Sequence, residues 1–156
     1  MPEPGATHGA GLNPGLTARR GPVRKVCPVV LRPGAILAFR HPRAGLQLVK
    51  GTPEAGETAA QTAARELAEE SGLAAAPVRV LGRAPVAMPG QVWTFVTMRT
   101  GPMPVRWSHW CADGGGHRFR FFWHPLRRPP GRGWHPAHVH ALRAVRRLLD
   151  RDRPAG

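Results

Sequence analysis

GTPEAGETAAQTAARELAEESGL, from Gly51 to Leu73, holds five of the nine acidic residues of this 156-residue chain. The five are all Glu, and the one basic residue among them is Arg65, although the formal net charge of the protein is +14. Carboxylates at this density repel one another unless a cation holds them together. Glu oxygens are ligands that Mg²⁺, Mn²⁺ and Ca²⁺ prefer. The segment therefore indicates a divalent-metal site.

The middle of this segment has the pattern of an amphipathic helix. Thr58 and Gln61 have the spacing of a capping box, and Gly72 is placed to end the helix in the left-handed conformation. These signals predict a helix from about 59 to 71. Because each residue advances by about 100°, Glu66 and Glu70 lie one turn apart on one face, with Glu69 at its border.

Two further charged residues belong to the same face. Arg65 stands beside Glu66 and four residues before Glu69, close enough to orient a carboxylate by a charge-assisted hydrogen bond. Glu57 ends the turn TPEAGE, which we expect to fold back toward the helix. Gly51 gives that turn conformational freedom.

The segment resembles the Nudix box of the Nudix hydrolases at every fixed position and spacing. The matching pattern is Gly51, five residues, Glu57, seven residues and then RELAEESGL (65–73). The resemblance implies an α/β fold, a Nudix-like α/β/α sandwich with a mixed sheet. It also implies a pyrophosphohydrolase that uses Mg²⁺ or Mn²⁺ to cleave a diphosphate linked to another moiety.

The resemblance assigns a role to each residue of the box. Glu69 and Glu70 would be the main metal ligands, and Glu66 a metal ligand or the general base. The remaining roles fall to Glu57 as a further ligand, Arg65 as the partner that orients the carboxylates, and Gly51 as a backbone metal contact.

The rest of the chain suits one domain. Residues 1–22 are rich in Pro and Gly, which predicts a disordered leader. Residues 23–152 are predicted to form the single Nudix domain, and residues 153–156 a tail. Cys27 and Cys111 lack CxxC spacing, so we expect buried thiols in a reducing cytoplasm. Strands are predicted at 23–31, 35–40, 78–83, 91–99 and 118–123, residues 46–49 lead into the box, and a second helix is predicted from 136 to about 152.

The segment 102–117, PMPVRWSHWCADGGGH, is interpreted as a loop that covers the substrate. Trp107 and Trp110 are candidates to stack on a base, and Arg106 is a candidate phosphate contact. Lys50, at the entry to the box, is a further candidate substrate-binding residue. The aromatic side chains of 91–99 are assigned to the core instead.

No Glu follows Glu70 in the chain. Many Nudix enzymes recruit a further Glu from downstream, and Asp113 is the one distal candidate here. An Asp before three Gly is typical of a turn, so we expect the general base to come from the box, as Glu66.

The moiety on the diphosphate is not decided by these patterns. Pro89, 16 residues beyond Leu73, resembles the proline of ADP-ribose pyrophosphatases, whereas Lys50-Gly51 resembles the entry to the box in dinucleoside polyphosphate hydrolases. We favour a small nucleoside diphosphate derivative such as ADP-ribose, with nucleoside triphosphates and dinucleoside polyphosphates as alternatives. The protein is expected to act as a monomer or a homodimer.

A second class of function competes with the enzyme. The net charge of +14 and the basic residues Arg19, Arg20, Arg24, Lys25 and the C-terminal Arg cluster are also typical of a nucleic-acid-binding module. An RNA 5′-pyrophosphohydrolase would combine both activities. His135, His138 and His140 are expected to be surface imidazoles.

Overall fold

The computed structural model describes residues 21–86 and 89–156. Its seven strands are β1 Val23–Arg32, β2 Ala35–His41, β3 Gly45–Gln47, β4 Ala75–Val86, β5 Gln91–Thr100, β6 Trp107–Cys111 and β7 His117–Pro125. Its two helices are α1 Ala59–Ser71 and α2 Pro136–Arg151. Most of the predicted leader, including Arg19 and Arg20, lies outside the described residues.

The strands form one mixed sheet in the order β4-β5-β1-β2-β7-β6, with β3 paired to β2. β1 and β5 run parallel from the pair Val23 and Gln91 to the pair Val30 and Met98. The other pairings of named strands are antiparallel. β1 and β2 meet through two residue pairs near their connecting turn, so β2 leads the sheet away from β1 toward β7 and β6.

Each face of the sheet carries one helix and one apolar cluster. Ala63 and Leu67 of α1 belong to a cluster with Val26, Phe39 and Phe121. The second cluster joins α2 to Trp93, Phe95 and other sheet residues, so the aromatic side chains of 91–99 are core residues as predicted. This arrangement confirms the α/β/α sandwich. Among the described residues, neither helix combines the length and the apolar character needed to cross a membrane.

The helix α1 has the bounds and the caps that its sequence predicts. Thr58 Oγ1 accepts a hydrogen bond from the Gln61 main-chain N at 3.1 Å, and Gln61 Oε1 accepts one from the Thr58 N at 2.9 Å. Gly72 has φ 76° and donates its N–H to the Ala68 carbonyl. Both ends of the helix are therefore fixed by local chemistry.

The interpretation of 102–117 as one loop is wrong. Trp107–Cys111 forms β6, which pairs with β7 from Trp107 and Phe121 to Cys111 and His117. The run Trp-Ser-His-Trp-Cys places side chains alternately on two faces, as a strand requires. The Gly-rich part makes the hairpin turn, in which Gly114, Gly115 and Gly116 have φ of 65°, 91° and 86°. Glycine is required there because other residues rarely adopt these angles.

His138 corrects the expectation of surface imidazoles. Its side chain is buried, packs edge-to-face on Trp93 and accepts a hydrogen bond at Nδ1 from the Leu48 main-chain N at 2.9 Å. His135 caps α2 by accepting from the Ala137 N. Since Leu48 lies three residues before Gly51, His138 ties α2 to the chain that enters the acidic segment.

We expect His138 to make the protein less stable in mild acid. Burial lowers the pKa of His138 to about 2 from the usual 6.5, so below pH 6.5 the unfolded chain binds a proton that the folded chain does not. The free energy of unfolding is therefore highest above pH 6.5, and below that it falls by about 1.4 kcal/mol for each pH unit. Asn at this position keeps an acceptor for Leu48 but does not titrate.

Urea unfolding of the wild type and His138→Asn at pH 7.5 and pH 5 measures this effect. The wild type should lose about 2 kcal/mol more than the variant over that interval. Equal losses in the two proteins would show that His138 does not carry the pH dependence.

Candidate active site

Gly51 is the point where the turn before α1 meets the sheet. Its main-chain N and O pair with the O and N of Val26 in β1, at 3.0 and 2.8 Å. A Cβ on Gly51 would lie 1.8 Å from Cδ of Glu66. Only glycine lets the Glu66 carboxylate approach the backbone so closely, which explains the residue type at the first position of the box.

Arg65 gathers the carboxylates around it. Its Nε and Nη2 donate to Oε2 and Oε1 of Glu57, both at 2.8 Å, in a bidentate pair. Its Nη1 donates to Glu66 Oε1 at 2.8 Å and to Glu69 Oε2 at 3.2 Å, and Nη2 also reaches the Thr52 carbonyl at 3.0 Å. One guanidinium thus connects the turn to three acidic residues, and these hydrogen bonds raise the pKa of Arg65.

Glu57 is fully engaged by protein donors. Besides Arg65, its Oε1 accepts hydrogen bonds from the Glu54 main-chain N at 2.7 Å and from Thr62 Oγ1 at 3.1 Å. The hydrogen bonds from Arg65 and then from Glu54 lower the pKa of Glu57 to about 2. In this position Glu57 anchors Arg65, and three donors already share its Oε1.

Glu66 and Glu70 have fewer hydrogen-bond donors around them than Glu57 has. Glu66 is 7% exposed, and burial raises the pKa of its carboxyl against the opposing effect of Arg65. Glu70 Oε2 is buried and has no hydrogen-bond partner in the described part of the chain. Burial also raises the pKa of Glu70, while the charge of Lys50 acts in the opposite direction. A buried carboxylate oxygen without a partner is costly, so this position calls for a proton or a cation.

The residues fit a hard divalent cation. Glu66, Glu69 and Glu70 supply carboxylate oxygens from one helix face, and the partnerless oxygen of Glu70 is available to a metal. As the described side chains stand, no group of three or more His, Cys, Asp and Glu residues is arranged around one point as a metal site. Arg65 draws two of these carboxylates, Glu66 and Glu69, to itself.

The two lysines of the chain, Lys25 and Lys50, both lie beside this cluster. Lys25 Nζ donates to Thr52 Oγ1 at 2.7 Å, and burial and the charge of Lys50 lower its pKa while Glu66 opposes them. Lys50 was predicted to belong to the site, whereas Lys25 was not. The signal for Lys25 is non-local, because its neighbour Val26 pairs with Gly51 across the sheet.

The predicted stacking residues Trp107 and Trp110 lie on opposite faces of β6. Trp107 stacks on Phe121, with ring centroids 5.0 Å apart, and its Nε1 donates to the Ser71 carbonyl at the end of α1. Trp110 is 57% exposed. Arg106 and Trp107 both line a cavity of about 450 Å³, which Trp110 does not line. Trp107 therefore braces the helix as well as bordering this cavity.

Asp113 opens the hairpin turn between β6 and β7, close enough to α1 for its charge to act on the acidic cluster. Its negative charge contributes to the raised pKa values of Glu66 and Glu70, although burial is the larger cause for both. The structure thus gives Asp113 both the predicted place in a turn and a position near the carboxylate cluster.

Comparisons with known proteins agree with this geometry. A family model described as NUDIX domain matches residues 21–145. None of the curated proteins matches the chain in sequence. Solved structures resemble the fold: a NUDIX hydrolase from Nitrosomonas europaea superposes with a TM-score of 0.64 at 16% identity, covering 87% of this chain and 76% of that one.

Two further similar structures are of enzymes whose names include a substrate. An ADP-ribose pyrophosphatase from Streptococcus suis 89-1591 has a TM-score of 0.60 at 14% identity, covering 86% of this chain and 95% of that chain. An ADP compounds hydrolase has a TM-score of 0.60 at 20% identity, covering 83% and 74%. The family match over most of the chain, together with the complete box, shows that the chain belongs to the NUDIX family of pyrophosphohydrolases.

Proposed function

We propose that the protein hydrolyses the pyrophosphate bond of a nucleoside diphosphate derivative with the help of Mg²⁺ or Mn²⁺. The observation that supports this most strongly is the buried Glu70 oxygen without a partner, on the helix face that also carries Glu66 and Glu69. A divalent cation bound there would neutralise charge on the phosphate oxygens and acidify a water molecule.

We assign the cation to Glu66, Glu69 and Glu70, with the carbonyl of Gly51 as a backbone contact. Glu57 is the least available of the predicted ligands, because Arg65, Thr62 and the Glu54 N–H already use its oxygens. Its proposed role is to hold Arg65, which in turn orients Glu66 and Glu69. Lys50 and Lys25 supply positive charge beside the carboxylates, where phosphate oxygens would lie.

We propose Glu66 as the general base. Its burial and its contact with Gly51 fix it in place, and it would act through a carboxylate oxygen that the cation does not use. Asp113 is the alternative, because its charge acts on the same cluster.

Comparing Glu66→Gln with Asp113→Asn separates the two candidates. We expect Glu66→Gln to lower kcat by about 10²-fold to 10⁴-fold, since a base contributes that much, and Asp113→Asn to lower it far less. The measurement is kcat at saturating Mg²⁺ and substrate. A near-normal kcat for Glu66→Gln together with a loss of several orders of magnitude for Asp113→Asn would assign the base to Asp113.

An ADP-ribose-like substrate is the favoured choice. Two structures with a similar fold are an ADP-ribose pyrophosphatase and an ADP compounds hydrolase. In addition, Pro89 lies 16 residues beyond Leu73, where it resembles the proline of ADP-ribose pyrophosphatases. The buried free thiols of Cys27 and Cys111 support a reducing, cytoplasmic location.

A substrate screen tests this function. Purified protein is incubated with Mg²⁺ or Mn²⁺ and with ADP-ribose, other nucleoside diphosphate derivatives, dinucleoside polyphosphates and nucleoside triphosphates, and the released nucleotide and phosphate are measured. We expect cleavage at the pyrophosphate bond, fastest for the ADP-ribose class and abolished by EDTA. Cleavage of none of them would contradict the proposal.

A further inference from the structure

A group of arginines lies at one end of the sheet, on the face opposite α1. Arg40 of β2 is directly opposite Arg120 of β7, which is directly opposite Ser108 of β6. Two residues along β7, Arg118 is opposite Trp110. Directly paired residues point to the same side of a sheet, so these side chains share one surface. We call Arg40, Arg106, Arg118 and Arg120, together with Trp110, the arginine face.

The charges of this face are not balanced by the protein. Among the described residues, the ion pairs involve Arg65 and Arg79, and none involves an arginine of this face. Like charges directly opposite each other, such as Arg40 and Arg120, destabilise a sheet. An Arg-rich composition explains how many arginines the chain has, but it does not place four of them together. The arrangement has a local cost that a polyanion would offset.

The face is concave along β7. A cavity of about 320 Å³ is lined by Arg40, Pro42, Arg118 and Arg120. It shares Arg40 and Arg120 with the cavity of about 450 Å³, which Arg106, Ser108 and Phe122 also line. Residues 118–122 of β7 extend over about 16 Å, at roughly 3.3 Å per residue. The two cavities thus form a groove that is long enough for a few nucleotides.

Aromatic rings accompany the charges. Trp110 is 57% exposed, and its ring lies against Gly116, where a Cβ would come within 2.3 Å, so the indole is held in place from one side. Phe122, which is half-buried, points to the same side of β7 as Arg118 and Arg120 and lines the cavity of about 450 Å³. A basic groove with spaced aromatic rings is the pattern by which proteins bind single strands, with bases on the rings and phosphates on the cations.

We propose that the arginine face binds single-stranded nucleic acid. A duplex hides the faces of its bases, so an exposed indole would contribute little to it. An anionic membrane would meet a flat or convex surface, whereas this one is a groove. This binding does not involve a cation or the carboxylates of α1. It can therefore be tested independently of the pyrophosphate hydrolysis proposed above.

Fluorescence anisotropy with a labelled oligouridylate of about 12 nucleotides tests the proposal. The oligonucleotide has a 5′-hydroxyl and the buffer contains EDTA, so hydrolysis of a diphosphate cannot affect the signal. The proteins are the wild type, Arg40→Gln/Arg120→Gln, Trp110→Ala and a matched control, Arg143→Gln/Arg147→Gln, which removes two exposed arginines of α2. Circular dichroism checks that each variant is folded.

We expect the wild type to bind, and Arg40→Gln/Arg120→Gln to bind at least about tenfold more weakly, because two phosphate contacts are lost. The slope of log K against log salt should fall by about 1.4 in this variant, at about 0.7 per phosphate. Trp110→Ala should weaken binding by about tenfold, and the α2 control by less than about twofold.

Three results would overturn the proposal. The first is no binding by the wild type at low salt, and the second is an equal loss in the β-sheet pair and the α2 pair, which would indicate non-specific attraction. The third is that duplex RNA, or vesicles containing phosphatidylglycerol, compete with the oligonucleotide at least as well as an unlabelled single strand does.

Discussion

Replacing Glu70 with glutamine is expected to reduce kcat/KM by at least about 10³-fold, or about 4 kcal/mol of transition-state stabilisation. Glutamine has nearly the same shape, but its amide has no negative charge and would present a donor or a neutral acceptor at the buried position of Oε2. The measurement is the initial rate on the substrate that the wild type cleaves, over a range of Mg²⁺ concentrations.

Glu54→Gln is the matched control for Glu70→Gln. Glu54 belongs to the same acidic segment, but its side chain is 69% exposed and its carboxylate lies 3.8 Å from Arg65. We expect this variant to keep kcat/KM within about twofold, since exposed ion pairs contribute little. Equal effects of the two substitutions would mean that only the total charge of the segment matters.

Gly51→Ala is expected to lower kcat/KM by about 10²-fold or more, because the new methyl group would occupy the position of the Glu66 carboxyl group. Glu66 would have to rotate away from Gly51, and its hydrogen bond with Arg65 would be lost or changed. The backbone at Gly51 is not in the left-handed region, so the effect comes from this contact and not from backbone strain.

Gly101→Ala controls for the loss of a glycine. It has no atom within 4 Å of the added Cβ and also lacks a positive φ. We expect its activity and midpoint of thermal unfolding to match the wild type. If Gly51→Ala kept full activity, Glu66 would not need its observed position, and its assignment as the base would be wrong.

The parts of the fold that local chemistry determines were predictable from the sequence. Thr58, Gln61 and Gly72 fix the ends of α1, and the predicted bounds agree with the structure. β6 was missed because Trp107–Cys111 is short and lies beside a Gly-rich turn, and its strand character depends on pairing with β7. His138 was misjudged for a similar reason, since its partner Leu48 is 90 residues away.

The residues of the site also divide into those that local sequence patterns predict and those that depend on distant contacts. The spacing of Glu66, Glu69 and Glu70 predicts a shared helix face from the sequence, because helical periodicity is local. The role of Glu57 depends on which donors surround its carboxylate, and these come from Arg65, Thr62 and the Glu54 backbone in a folded turn. Lys25 joins the site only through the pairing of Val26 with Gly51. Non-local contacts of this kind have no signature in a single sequence.

Binding of a divalent cation by Glu66, Glu69 and Glu70 is the claim on which the proposed chemistry depends. Titration with Mn²⁺, followed by the electron paramagnetic resonance signal of the free ion, measures it without a substrate. We expect saturable binding to the wild type and to Glu54→Gln, and binding at least about tenfold weaker in Glu70→Gln. Equal Mn²⁺ binding by the wild type and Glu70→Gln, or no binding by either, would contradict the account.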